Sequence, residues 1–157
     1  MRYWLMKSEP SAFSIDDLER VGTEPWDGVR NYQARNYMRD DMQPGDRVLF
    51  YHSSTDRPGV VGTATIARAA YPDPSSWDPD SKYFDPKSSP EHPRWMMVDV
   101  AYESRFAAPV TLAELRAVPA LQDMLLLRKG QRLSIQPVTE REYRTVLDCA
   151  QRPVTER

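Results

Sequence analysis

The chain has 157 residues, a formal net charge of −2 and a single cysteine, Cys149. That length suits one domain, residues 1–157, able to bury a core of its own. The charge argues against a broad basic surface gripping any nucleic acid by its phosphates, and one cysteine excludes both a disulfide framework and a cysteine-based metal site.

A reducing, cytoplasmic setting follows as the expectation. The start, Met1-Arg2-Tyr3-Trp4-Leu5-Met6-Lys7, is broken by charge too soon for a signal peptide or a membrane span. Fourteen prolines against six glycines point to stiff, ordered loops, and no internal repeat is visible.

In chain order, residues 2–7 read as a first strand, aromatic and apolar. Ser14 with Asp17 three positions on forms a capping box, with Phe13 and Leu18 as hydrophobic staple. A second helix is expected over 31–41, with Ala34, Tyr37 and Met38 inward and Tyr32, Arg35 and Arg39 on another face. Pro44-Gly45-Asp46 turns the chain into a strand over 47–52. Residues 60–71 form a longer strand with a bulge or close contact at Gly62. Residues 95–106 are a third, with Met96, Val98, Val100 and Tyr102 on one face. Thr111 with Glu114, and Thr139 with Glu142, repeat the helix-start signature, with staples Val110–Leu115 and Val138–Tyr143. Between them, Leu121, Met124, Leu125 and Leu127 read as a buried helical segment or a dimer contact. A short strand over 133–136 ends at Pro137. Trp4 and Trp95 fall in strand patterns and belong to the core, and Cys149 is a packing residue.

Residues 72–93 carry Asp73-Pro74, Asp78-Pro79, Asp85-Pro86, Ser89-Pro90 and His92-Pro93, none of which favours regular structure. A loop of that length inside a compact domain is unusual and tends to be functional or disordered. Trp77, Tyr83 and Phe84 weigh against disorder. The expectation is a folded-down loop that pins itself to the body or supplies one wall of an aromatic cage. Strands far apart in sequence with short helices between them suggest a small mixed barrel flanked by helices. No phosphate-loop or dinucleotide fingerprint is present.

The most informative stretch is Trp26-Asp27-Gly28-Val29-Arg30-Asn31-Tyr32-Gln33-Ala34-Arg35. It gathers an aromatic plane, a glycine, a carboxylate and basic or amide groups around a helix start. A flat face beside fixed polar groups is what holds a planar polar ring such as a nucleobase. Trp26 is read as a pocket wall, since it lies away from any apolar run. Asp27 either caps a turn before Gly28 or accepts from the exocyclic amine of cytosine or adenine. Arg30 and Arg35 are surface cations, partners for Asp40 and Asp41, or phosphate contacts beside the helix start; the last is favoured for at least one. Asn31 is a helix cap or a base reader. No nucleophile with its base is visible.

Met6-Lys7-Ser8-Glu9-Pro10 followed by Trp26-Asp27-Gly28-Val29-Arg30-Asn31-Tyr32 resembles the EVE domain family. Further matches are Gly45-Asp46 leading into Phe50-Tyr51-His52-Ser53, then Tyr83-Phe84-Asp85-Pro86-Lys87, and Arg132-Leu133-Ser134-Ile135-Gln136-Pro137. Each is weak alone, but together they span almost the whole chain in order. The resemblance implies an α+β, PUA-like mixed β-barrel of roughly five to six strands flanked by short helices, related to YTH and ASCH domains. It also implies binding of DNA or RNA carrying a modified base, lifted from its stack into a pocket. The pocket positions it carries over are Lys7, Ser8, Trp26 to Asn31, His52 and Ser53, and Ser134, Ile135, Gln136 and Pro137, with Tyr32, Arg35 and Tyr83 as neighbours. By itself His52 is a hydrogen-bonded rim residue or a base contact. A zinc role is disfavoured, since only His92 could join it.

The expected function is a non-catalytic reader with no cofactor, metal or membrane, acting as a monomer. One alternative is an ASCH-like amidohydrolase on a modified nucleoside, with Lys7 and Glu9 or Asp27 as an acid–base pair. Another is a binder of a free nucleoside-like small molecule.

Overall fold

The structure, a computed structural model, describes residues 1–152. Its elements are β1 (Tyr3–Ser8), α1 (Ile15–Val21), β2 (Thr23–Pro25), α2 (Tyr32–Asn36), β3 (Arg47–His52), β4 (Gly59–Pro72), β5 (Met96–Thr111), α3 (Leu112–Arg116), β6 (Ile135–Val138) and α4 (Glu140–Gln151). Helix starts follow the local chemistry. Ser14 and Thr139 make reciprocal capping boxes with Asp17 and Glu142, and Thr111 accepts from the Glu114 N–H. Each arrangement satisfies amide donors that a helix start leaves bare.

The strands form one mixed sheet in the order β2–β5–β4–β3–β1–β6, with β1 and β3 parallel and every other pair antiparallel. The expected barrel of five to six strands is thus a six-stranded sheet whose ladder is not closed between β2 and β6. Both faces are covered. Trp4 and Met6 of β1 enter one core with Phe50, Ile66, Val98 and Val100, while Leu5 enters a second with Leu49, Leu115, Leu121 and Val146. Burial on both faces explains why β1 and β3 read as unbroken apolar runs instead of alternating.

Two details hold the sheet's centre. The buried carboxylate of Asp46 accepts from the Trp4 indole Nε1, and from the backbone N–H of Arg2 and of Gln43, each at 3.0 Å. Gly62 sits at a register shift between β4 and β5, where a Cβ would lie 2.3 Å from the Ser104 carbonyl oxygen.

The structure extends or corrects several sequence expectations. The helix over 31–41 is a single α-turn region followed by a π-helical turn, Tyr37–Asp41, closed by Met42 N–H donating to the Tyr37 carbonyl. β5 starts after Trp95 and runs to Thr111. β6 starts later than expected and passes through Pro137, which is tolerated because β6 is a sheet edge where one side needs no donor. The apolar run after Pro119 is two short 3₁₀ turns, Pro119–Leu121 and Leu125–Leu127, because Met124 between them is extended. No helix among the described residues is long and apolar enough to cross a membrane.

Candidate functional site

β2 is only three residues long and pairs with β5 up to Pro25 opposite Asp99. Trp26 makes one more backbone bond, donating to the Val98 carbonyl at 2.7 Å, and the chain then leaves the sheet. The indole is half-buried. It stands edge-on to Phe13 (centroids 6.3 Å, 86°) and to Phe50 (5.7 Å, 88°), T-shaped contacts that fix its plane. It lines an open hollow of about 710 Å³ shared with Lys7, Ser8, Glu24, Asp27 and Ser134. Cavities of a few hundred to about 1,000 Å³ suit small planar ligands.

The segment after Trp26 is held by a buried carboxylate. Asp73 accepts from Gly28 N–H at 2.9 Å and from Arg30 Nη1 at 3.1 Å through Oδ2, and from the Ser75 N–H and hydroxyl through Oδ1. Gly28 adopts φ +77°, and a Cβ there would sit 2.6 Å from the Tyr83 ring. Only glycine allows both the left-handed backbone and that ring to occupy the spot. The 72–93 loop therefore folds down as expected, and Tyr83 closes one side of the hollow. Trp95 donates to Asp85, anchoring the far end of the same loop at 2.8 Å.

Arg30 is spent inside the protein. Its Nε donates to the Tyr83 carbonyl, Nη1 to the Val29 carbonyl and Asp73, and Nη2 to Ser75. With 22% of its side chain exposed, it borders the hollow but works chiefly as the tie between the Trp26 segment and the loop.

The hollow is electrostatically tense. Its rim carries three cations, Lys7, Arg30 and Lys82, and three carboxylates, Glu9, Glu24 and Asp27. Partial burial pushes the Asp27 carboxyl above the ordinary range, and the neighbouring Asp73 adds to the shift. Glu24 moves the same way, first by burial and then through Asp27. Burial lowers the Lys7 ammonium. Each group is held where its charged form is disfavoured, a condition common at functional sites. Lys7 makes no ion pair with Glu9 or Asp27 among the described residues; its ammonium stands 5.9 Å from the Tyr51 ring centroid.

Of the residues singled out from sequence, Lys7, Ser8, Trp26, Asp27, Gly28, Val29, Arg30, Tyr83 and Ser134 come together around this hollow. The others do not. Asn31 caps α2, accepting from Ala34 N–H at 3.0 Å. Tyr32 stacks on Trp95 (4.6 Å, 23°), and the Arg35 guanidinium lies near both rings, 4.7 Å from Tyr32 and 5.8 Å from Trp95; Arg35 also donates to the Arg94 carbonyl. That cluster does not line the hollow, although Arg30 stands between them, 5.6 Å from the Tyr83 ring and 5.4 Å from the Trp95 ring. His52 Nε2 accepts from Ile15 N–H at 3.1 Å, so it caps α1 instead of facing the hollow. Ser53 pairs with the Ser8 carbonyl. Ile135 and Gln136 are buried, and Pro137 pairs with Trp4 in the sheet. Only Ser134, one residue before β6, reaches the hollow.

The sequence reading missed Asp73 and Glu24. Asp73-Pro74 was visible as a turn signal; that its carboxylate reaches back 45 positions to Gly28 was not. No cluster of three or more His, Cys, Asp or Glu among the described residues is placed to hold a metal.

An EVE domain family model matches residues 2–149. Human thymocyte nuclear protein 1 is 39% identical over 169 residues, covering 96% of this chain and 74% of that protein. A hypothetical protein from Leishmania major superposes with a TM-score of 0.92 at 49% identity, covering 100% of this chain and 98% of that one. Human THYN1 protein in complex with 5-methylcytosine-containing DNA superposes at 0.90 with 38% identity, covering 98% and 99%. The fold thus superposes over nearly the full length of both solved structures, and this chain belongs to the EVE domain family.

Proposed function

We propose that this protein is a non-catalytic reader that takes a chemically modified base, extruded from DNA, into the hollow beside Trp26. The observation that carries the reading is the position of the Trp26 indole. It is fixed edge-on by Phe13 and Phe50, yet it borders open space instead of being sealed in the core. Stacking on such a ring contributes about 1–3 kcal/mol per base. The Asp27 carboxylate and the Ser134 hydroxyl supply polar matches for a base edge, the Ser8 hydroxyl, which donates to the Phe13 carbonyl, keeps acceptor capacity, and Lys7 supplies a donor. Sites built around specific hydrogen bonds reject analogues that lack them.

The human relative crystallised with 5-methylcytosine-containing DNA supports DNA and a methylated cytosine as the first ligand to test. An amine on the base donating to Asp27 fits cytosine and adenine. RNA carrying a similar base satisfies the same chemistry. A monomer in a reducing cytoplasm is the proposed setting, consistent with the buried thiol of Cys149.

Titration of duplexes with and without one 5-methylcytosine against the unaltered protein and Trp26→Phe tests the reading. Tighter binding of the methylated duplex, weakened several-fold by the smaller ring, is expected. Equal, weak binding of both duplexes would dispose of the reader. Turnover of an acylated nucleoside by the unaltered protein would favour hydrolysis instead.

A further inference from the structure

Beside the Trp26 hollow lies a second one of about 470 Å³, lined by Asn31, Gln33, Arg128, Gln131 and Arg132 among others. The two share a thin partition. Arg30 lines the first and Asn31 the second, and Ser134 lines the first and Leu133 the second. Consecutive residues, with Cα atoms about 3.8 Å apart, thus divide the two hollows at two points of the chain.

Their charge differs in kind. The Trp26 hollow balances three cations against three carboxylates, whereas the second has two arginines and no acid among its lining residues. Arg128 and Arg132 are exposed, and neither guanidinium makes a hydrogen bond or ion pair among the described residues. Arg30, Arg35, Arg39, Arg47, Arg105 and Arg144, by contrast, spend theirs on protein oxygens, and Arg57, Arg116 and Arg141, which also show no such partner among the described residues, line neither hollow. The amides lean the same way. The Asn31 carbonyl oxygen accepts from Ala34 N–H and the Gln131 carbonyl oxygen from Leu133 N–H, which leaves both NH₂ groups as donors. Gln33 is the exception, its NH₂ donating to the Tyr37 hydroxyl at 3.1 Å. Uncompensated guanidinium groups and two amide donors with no carboxylate among them suit an anion, and planar guanidinium forks match phosphate oxygens.

We infer that this hollow seats the sugar–phosphate backbone flanking the nucleotide whose base enters the Trp26 hollow, with Arg128 and Arg132 as the phosphate contacts. The inference rests on the reader assignment. It divides the work between two neighbouring sites, one reading the base and the other positioning the strand without reading sequence. It also reconciles an acidic protein with nucleic-acid binding, because this rim carries two arginines and no acid.

The test compares the unaltered protein with an Arg128→Ala/Arg132→Ala double variant and the corresponding double lysine variant. The probes are a short duplex with one 5-methylcytosine, its unmethylated counterpart, and the free nucleoside 5-methyldeoxycytidine. The alanine pair is expected to lose about tenfold in affinity for both duplexes and to flatten the salt dependence of log K by about 2, roughly one per lost phosphate contact. Its methylated-to-unmethylated ratio and its nucleoside affinity stay as they were, and the lysine pair retains most of the affinity. Unchanged duplex affinity and salt slope in the alanine pair, with the preference for methylated duplex intact, would overturn this inference and leave the reader standing. No preference in the unaltered protein would remove the reader, and this inference with it.

Discussion

The core beneath α4 and the hollow beside Trp26 are built on opposite terms. Under α4, Leu5, Leu49, Leu115, Leu121 and Val146 are fully buried, and Thr139 and Glu142 satisfy the helix start reciprocally. Around Trp26, two carboxyls and an ammonium sit where burial disfavours their charge, a glycine holds a left-handed backbone, and an aromatic ring faces open space. The first region gains stability from each group it contains. The second gives some up, which is the pattern expected where a ligand completes the environment.

The contrast is sharpest under mutation. Leu121→Ala should remove about 2–5 kcal/mol of stability while leaving the preference between methylated and unmethylated duplex untouched; urea unfolding with parallel titrations checks both. A changed preference would mean that the two regions are coupled. Gly28→Ala should cost less, about 1–3 kcal/mol for the strained backbone, yet weaken ligand binding far more than Leu121→Ala does, because Tyr83 must move. Ligand affinity unaltered by that change would show that Tyr83 does not shape the hollow.

His52 holds the start of α1 to the end of β3. Burial lowers its pKa below the ordinary value, and its neutral Nε2 accepts from Ile15 N–H. As pH falls through about 6.5 the unfolded chain takes up the proton first. The stability from this cap is therefore present above that pH and lost below it. His52→Gln, whose amide oxygen keeps an acceptor there, should flatten the decline in melting temperature. Parallel pH profiles for the two proteins would discount the cap.

The smallest effect is the most diagnostic. Asp27 titrates above its ordinary range, so the folded protein binds its proton before the unfolded chain does and carries a penalty at neutral pH. Asp27→Asn should raise the melting temperature slightly and weaken binding of the methylated duplex. Binding of that duplex to the unaltered protein should also fade on acidification sooner than an ordinary carboxylate would dictate. A variant both more stable and equally good at binding would remove Asp27 from the site.

Local signals were legible where the partner lies within a few residues. The hydroxyl–acid pairs at Ser14, Thr111 and Thr139 marked three helix starts, and the apolar run over 47–52 matched β3 to the residue. β2 went unseen, because three residues between Gly22 and Trp26 carry no period. Tyr32 and Arg35 join the expected site as sequence neighbours of its motif, and His52 joins it through the family resemblance. Side chains on one short turn nevertheless point different ways, and Tyr32 and Arg35 pack on Trp95 instead.

By itself the sequence determined the family, the helix starts, most strands and the segment around Trp26, since these rest on short-range hydrogen bonds and on hydrophobic pattern. Only the tertiary structure decided which of those residues share a cavity. Asp73 meeting Gly28, Tyr83 filling the space above it, and Ser134 joining Lys7 are contacts between positions 45 to 127 apart in the chain. They exist only once the sheet order brings β1, β2 and β6 and the long loop into register, and no local pattern encodes that order.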